Sequence, residues 1–202
     1  MKNKNELLKL TLTAVFIAII AVMSFTPLGY LKVGIVSISF LTIPVVLGSA
    51  LLGKLGGTIL GVAFGATSFI QCFGMDAFGT TLMGINPVFT FLVCIVPRAL
   101  VGFLAALIFE SLSKTKLQIN ISAAITFISG ALINTVGFVG LLVLFFGKTD
   151  YVASLMETLA VKNLFAFALA FAGINSLVEA AAAGVFGAAL AQVIKKLRST
   201  VK

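Results

Sequence analysis

The 202-residue sequence is 60% hydrophobic and only 10% charged, with a formal net charge of +8. Soluble domains contain about one quarter charged residues, so this composition excludes a soluble globular protein and indicates an integral membrane protein. We attribute the positive charge to loops that face the cytoplasm rather than to nucleic-acid binding. The chain has no histidine and only two cysteines, without metal-ligand spacing, which disfavours metalloproteases and most haem proteins.

Six segments approach the roughly 20 apolar residues that a membrane-spanning helix needs. The sequence therefore predicts an all-α membrane protein with a single domain over residues 1–202. The predicted helices cover residues 7–25, 37–53, 55–72, 87–112, 120–147 and 163–194. The turn between the second and third helices is very short, so these two can also be described as one long hydrophobic hairpin.

The N-terminal run MKNKNELLKL, followed by apolar residues, resembles a signal peptide. The apolar run ends in VMSFTPLGY, which offers no small-residue cleavage site. We therefore interpret it as a first membrane helix that is retained in the mature protein.

The basic residues predict the orientation. With a cytoplasmic N-terminus, ten of the fourteen lie on the inner side, namely Lys2, Lys4, Lys9, Lys54, Lys114, Lys116, Lys195, Lys196, Arg198 and Lys202. Only Lys32, Lys148 and Lys162 fall outside, and Arg98 lies within the fourth helix. The positive-inside rule thus predicts that both termini are cytoplasmic and that residues 26–36, 73–86 and 148–162 form outer loops.

Small residues recur at four-residue spacing in two predicted helices. Gly57, Gly61 and Gly65 form a smooth face on the third helix, and we expect it to pack within the bundle. Ala14 and Ala18 form a similar face on the first helix. Packing within the bundle and docking of a partner remain equally open for these alanines.

Polar residues inside membrane helices are costly, by about 2.5–3.5 kcal/mol for a central charge, and they usually face a cavity or the bundle interior. The candidates are Arg98, Glu179, Asn86, Asn134 and Asn175. At about 1.5 Å per residue, Arg98, Asn134 and Asn175 lie roughly 17–20 Å below the outer helix ends. Three helices therefore bring polar groups to a similar depth, as a solute site reached from outside requires.

The alternative is that Arg98 and Glu179 form an ion pair that merely ties two helices together, with little net stabilisation. Both interpretations are compatible if a ligand carboxylate shares the guanidinium. Gln71 and Thr42 are further candidates for the pocket, whereas Glu110 is expected at the inner interface.

Residues 48–54 match the start of a phosphate-binding loop, G-x-x-x-x-G-K. Leu55 stands where such loops have Ser or Thr, so the hydroxyl that binds magnesium is missing. No nucleotide site is expected there, and any ATP used must be bound by another subunit.

The chain resembles the substrate-binding membrane subunits (S components) of energy-coupling factor (ECF) vitamin transporters over nearly its whole length. The resemblance rests on its size, its six predicted spans and four local runs. These are AVFIAIIAVMSFTPLGY, SISFLTIPVVLGSALLGKLGG, INPVFTFLVCIVPRALVG and ISGALINTVGF.

The resemblance implies an S-component-like bundle in a bacterial cell membrane that binds one vitamin tightly in a pocket open to the outside. It also implies a membrane coupling subunit and two cytoplasmic ATPases as partners, so ATP is used by those partners and the chain itself binds no cofactor. Such subunits dock through an A-x-x-x-A pattern in the first helix, which corresponds here to Ala14 and Ala18.

Within this family the pantothenate-type subunits are the most similar. A small anion with hydroxyls and an amide fits Arg98 for its carboxylate and the three asparagines for its polar remainder. The absence of tryptophan argues against thiamin, whose binding subunits use tryptophan-rich pockets. Pyridoxine, folate and riboflavin remain alternatives.

The sequence disfavours two other classes of function. A self-sufficient secondary transporter would transport alone, but no inverted repeat or pair of broken helices is evident. A membrane enzyme is disfavoured because the chain lacks histidine and an acidic cluster. The sequence therefore favours a binding subunit without its own ATPase site.

Overall fold

The computed structural model describes residues 2–33 and 36–201, without the side chains of residues 2–4, 31–38, 174, 175 and 201. This part of the chain forms seven α-helices and one β-hairpin. The helices are α1 (Lys2–Ser24), α2 (Thr42–Gln71), α3 (Ala77–Ile85), α4 (Pro87–Leu112), α5 (Ile119–Phe146), α6 (Asp150–Thr158) and α7 (Leu164–Val201). The strands are β1 (Tyr30–Val33) and β2 (Val36–Ser39).

Five helical stretches in the described residues are long and apolar enough to cross a membrane. They are Asn5–Ser24, Thr42–Gln71, Pro87–Leu112, Ile119–Phe146 and Ser176–Thr200. The prediction of an all-α membrane protein is therefore confirmed as far as helix type, length and apolar character are concerned.

Helix α2 folds back on itself at Gly53. Its backbone has φ 77° and ψ −168° there, a left-handed region that favours glycine. A Cβ added to Gly57 would meet the side chain of Ser49, eight residues earlier. In a straight helix these residues are about 12 Å apart along the axis, so the two arms of α2 lie face to face. The predicted break at Gly53 is confirmed.

Residues 37–41 were wrongly assigned to the second membrane helix. Residues 37–39 belong to β2, which pairs antiparallel with β1 in the register Tyr30 to Ser39 and Val33 to Val36. The Val-Ser-Ile-Ser run alternates apolar and polar residues with the two-residue period of a strand.

Two of the predicted outer loops, residues 73–86 and 148–162, contain short helices that the sequence did not indicate. Asp76 is the N-cap of α3, and its carboxylate accepts a hydrogen bond from the Gly79 N–H at 2.7 Å. Thr149 begins α6, with its hydroxyl accepting from the Val152 N–H at 3.4 Å. Both loops are therefore ordered by helix caps.

The later membrane helices agree closely with prediction, except at the C-terminus. Helix α4 has the predicted bounds and α5 differs by one residue at each end. Helix α7 continues seven residues beyond the predicted 194 and has a non-helical backbone at Gly173.

The glycine face of α2 packs against α4, as predicted. A Cβ at Gly57 would overlap the backbone of Gly102, and a Cβ at Gly61 would overlap the carbonyl of Arg98. Gly65 lies in the same way against the backbone of Cys94. Each step of four along α2 matches a step of four backwards along α4, so the two helices run antiparallel in backbone contact. We call this contact the glycine seam.

Candidate substrate-binding site

A cavity of about 850 Å³ lies at the end of the bundle away from Gly53. Its walls come from the last turns of α1 and α2, the β-hairpin, α3, and the facing sides of α4, α5 and α7. This volume is within the range of small-molecule sites, about 300–1,000 Å³. Four of the predicted site residues line it, namely Gln71, Arg98, Asn134 and Glu179.

The position of Arg98 follows from the proline that precedes it. Pro97 has no N–H, so the carbonyl of Val93 loses the helical hydrogen bond that residue 97 normally supplies. The Nη1 of Arg98 donates to that carbonyl at 2.8 Å. The Pro-Arg pair therefore bends the guanidinium back along α4 and fixes its position on the cavity wall.

The guanidinium of Arg98 lies between two aromatic rings. Its central carbon is 4.8 Å from the ring centroid of Phe138 on α5 and 5.4 Å from that of Phe64 on α2. Such cation–π contacts stabilise a desolvated cation without neutralising its charge. The side chain is only 9% exposed, and its Nε has no hydrogen-bond partner.

Asn134 on α5 supplies the second unsatisfied group. It is 6% exposed, and its Oδ1 has no hydrogen-bond partner. Among the described side chains, Asn134 Oδ1 and Arg98 Nε are the two buried polar atoms without a partner, and both residues line the same cavity. Both atoms are covered by surrounding protein, yet the two residues place a positively charged side chain and an amide side chain on the cavity wall.

Glu179 on α7 is engaged with the protein. Its carboxylate accepts a hydrogen bond from the Ser39 N–H at 2.6 Å and one from the Thr135 hydroxyl at 3.4 Å. The part of the chain that the structure describes has one salt bridge, between Lys54 and Glu110 at 3.6 Å. Arg98 and Glu179 thus do not form the ion pair considered above, and Glu179 instead ties the β-hairpin to α5 and α7.

Gln71 and Tyr30 close the side of the cavity between α1 and α2. Gln71 Nε2 donates to the carbonyl of Ser24, and the Tyr30 hydroxyl lies 3.4 Å from the Ser68 hydroxyl. Burial raises the pKa of Tyr30 above its ordinary value, because a phenolate there would be desolvated. The Tyr30 side chain is therefore a neutral hydrogen-bonding group at physiological pH.

The remaining predicted polar residues lie elsewhere. Asn86 is the N-cap of α4, where its Oδ1 accepts from the N–H groups of Val88 and Phe89 at 3.0 and 3.1 Å, and it does not line the cavity. Thr42 is buried but does not line the cavity either. The side chain of Asn175 is outside the described residues.

Several cavity residues were not anticipated from the sequence. They include Tyr30, Ser39, Thr135 and Phe138. Phe138 lies one helical turn after Asn134 on α5, an offset that could have indicated it, whereas Thr135 is adjacent to Asn134 and has no such signal. Tyr30 and Ser39 reach the cavity only because the β-hairpin folds over it.

Ala14 and Ala18 face away from the bundle. Both are exposed, whereas Phe16 and Ile20 on the opposite side of α1 are buried against the core. Packing within the bundle therefore does not account for the two alanines.

Comparisons with known proteins support the assignment reached from the residues. A comparison with curated protein sequences finds no significant match. A family profile described as ECF transporter, substrate-specific component, matches residues 8–190. The chain therefore belongs to the family of substrate-specific components of ECF transporters, and it is a multi-pass membrane protein and not itself an ATPase.

Proposed function

We propose that this chain is the high-affinity vitamin-binding subunit of an ATP-driven ECF importer, with pantothenate as its substrate. The observation that carries the proposal is a single cavity of about 850 Å³ lined by both the positively charged Arg98 and the amide side chain of Asn134. Pantothenate offers a carboxylate for the guanidinium and hydroxyl and amide groups for the asparagine.

The cavity walls also suit this ligand. Phe78, Leu82, Val93 and Val139 give the cavity apolar sides. They complement the methyl groups and carbon backbone of pantothenate, while Ser176 and Gln71 add polar groups. Mostly apolar walls with a few placed polar groups are typical of small-molecule sites.

The proposed topology has six crossings in one membrane domain, because α2 folds back at Gly53 and so contributes two. Lys54, Glu110, Lys114 and Lys195 then lie at the end of the bundle opposite the cavity. The positive-inside rule makes that end cytoplasmic, together with both termini, in the cell membrane of a bacterium. The cavity accordingly opens to the outside.

Ala14 and Ala18 are proposed to dock the membrane coupling subunit, with two ATPases supplying ATP hydrolysis. Their exposure on α1 supports this role, since small residues allow a partner helix to approach closely. Ala18→Leu should leave vitamin binding by the isolated subunit unchanged and prevent co-purification of the coupling subunit. Val15→Leu is the matched control, because Val15 is already bulky and 49% exposed. Normal assembly of Ala18→Leu would reject the docking role.

The direct test of the substrate is equilibrium binding of radiolabelled pantothenate to the purified chain in detergent. Unlabelled pantothenate, pyridoxine, folate and riboflavin serve as competitors. We expect saturable binding that only pantothenate displaces. Displacement by another vitamin would keep the class of function and replace the substrate, and binding of none would reject the proposal.

A further inference from the structure

The only two cysteines of the chain meet on the cavity wall. Cys72 follows the last residue of α2 and Cys94 lies on α4, and their Sγ atoms are 3.9 Å apart. Cys72 Sγ is also 3.3 Å from the carbonyl of Ser68. Residues 22 positions apart on two helices thus form a thiol pair that the sequence spacing did not indicate.

Both cysteines lie on the wall of a cavity that opens to the surface. Cys72 and Cys94 are 5% and 6% exposed, and both line the cavity. The same cavity reaches the surface at Phe25 and Met75, which are 48% and 65% exposed. The cavity therefore connects the surface to both cysteine residues.

We propose that Cys72 and Cys94 are a redox modification site, which small disulfides of the glutathione type convert reversibly into an intramolecular disulfide. One cysteine thiolate attacks the small disulfide, forming a mixed disulfide and releasing one small thiolate. The other cysteine thiolate then attacks the cysteine sulfur of the mixed disulfide and releases the second small thiolate. The two cysteine protons pass to the released thiolates, so the small disulfide is reduced and the cysteine pair is oxidised.

A disulfide between Cys72 and Cys94 would shift residues that lie next to Arg98 and α3. Cys94 lies one helical turn before Arg98, so both residues share one side of α4. Cys72 Sγ packs on Gly79 of α3, where an added Cβ would overlap it. Bond formation shortens the Sγ–Sγ separation from 3.9 Å to about 2.0 Å, which draws the end of α2 towards α4 beside Arg98.

This geometry predicts a change in ligand affinity, and that part of the inference rests on the proposed function. The oxidised protein should bind pantothenate about tenfold more weakly than the reduced protein, because the α2–α3 wall is displaced from its reduced position. Reduction should restore the affinity.

The chemical part is tested without any ligand. The purified full-length protein is incubated with glutathione disulfide and its intact mass is measured. We expect a loss of two hydrogen atoms, a single peptide linking Cys72 to Cys94, and reversal by dithiothreitol. Cys72→Ser and Cys94→Ser should each instead gain one glutathione. A wild-type protein that stays unmodified, gains two glutathiones or links only between molecules would overturn the proposal.

The functional part uses labelled pantothenate on the oxidised and reduced forms. The control is the variant with both cysteines changed to serine, whose affinity should not respond to glutathione disulfide. Equal affinity of the two wild-type forms would reject the effect on binding. Lack of pantothenate binding by the reduced protein would reject the proposed substrate, while the mass measurement would still decide the redox site.

Discussion

Helix α4 makes close backbone contact on one side and lines a cavity on another. Along the glycine seam, its backbone touches the backbone of α2 with no side chain between them. On the cavity side, Arg98 and Cys94 contribute to the cavity wall, and the buried Arg98 keeps an unpaired Nε. The carbonyl of Arg98 lies in the seam and its guanidinium lies on the cavity, so one residue belongs to both regions.

The difference shows how a rigid contact supports a site that is incomplete without a ligand. In lipid, close van der Waals contact is a main source of helix association, so the seam holds α4 at a fixed depth. Pro97 packs against Gly137 of α5 and redirects the Arg98 side chain to the Val93 carbonyl. The seam and the Pro97 contact therefore hold Arg98 at a fixed place on the cavity wall.

The largest effect is expected from breaking the seam. In Gly61→Leu, the new side chain meets the backbone of Arg98 and Ala99, which cannot move away as a flexible side chain would. We expect a loss of stability of about 3 kcal/mol or more, measured as thermal unfolding in detergent. Gly140→Leu is the matched control on α5, because nothing lies within 4 Å of a Cβ at Gly140. If the two variants are equally stable, the glycine seam does not contribute to the stability of the protein.

The next effect concerns ligand binding and should leave the fold intact. Arg98→Met removes the charged donor but keeps an apolar side chain between Phe64 and Phe138. Pantothenate affinity should fall by about 2 kcal/mol, roughly 30-fold, as for other hydrogen bonds to charged groups. Thermal stability without ligand should stay the same or rise, because an unpaired buried Nε is lost. If Arg98→Met unfolds, Arg98 is required for the stability of the fold rather than only for ligand binding.

A smaller loss of affinity is expected at Asn134. Replacement by Leu keeps the volume and removes the unpaired Oδ1. We expect pantothenate affinity to fall by about 1 kcal/mol, roughly fivefold, with unchanged thermal stability. Affinity and stability are compared on the same preparation, and a loss of stability alone would show that Asn134 acts in packing.

The smallest effect should come from Asn86, which sharpens the boundary of the site. Asn86→Ala removes the N-cap of α4 and should cost about 1 kcal/mol of stability. Since Asn86 does not line the cavity, pantothenate affinity should not change by more than twofold. A large loss of pantothenate affinity with normal stability would show that Asn86 belongs to the binding site.

The sequence predicted the long helices because their hydrophobic length and their breakers are local signals. Pro87 begins α4 and Gly53 bends α2 where the sequence indicated. The β-hairpin was missed because four-residue strands beside a long apolar run add little periodicity of their own. Helices α3 and α6 are hard to predict because they span only nine residues each, and their caps, Asp76 and Thr149, are residue types that are also common in loops.

The site was predicted in part, since membrane depth selects charged and polar residues but not their partners. Depth grouped Arg98 and Asn134 with Asn175, and the first two line one cavity, while the side chain of Asn175 lies outside the described residues. It could not show that Glu179 is already paired with Ser39, because that contact spans 140 residues of sequence. Depth also could not show that Asn86 caps α4 and lies off the cavity, because an asparagine before Pro87 serves as a helix cap as readily as a ligand.

Ligand-induced stabilisation shows whether the ligand binds through the Arg98 guanidinium. Thermal unfolding is followed for the wild type and Arg98→Met with saturating pantothenate and without it. A ligand at free concentration L that binds only the folded state stabilises it by RT ln(1 + L/Kd), so a roughly 30-fold weaker affinity lowers the stabilisation by about 2 kcal/mol at a saturating concentration. We predict a rise of several degrees in the unfolding temperature of the wild type and a clearly smaller rise for Arg98→Met at the same concentration. An equal rise in both proteins would show that Arg98 does not contribute to ligand binding.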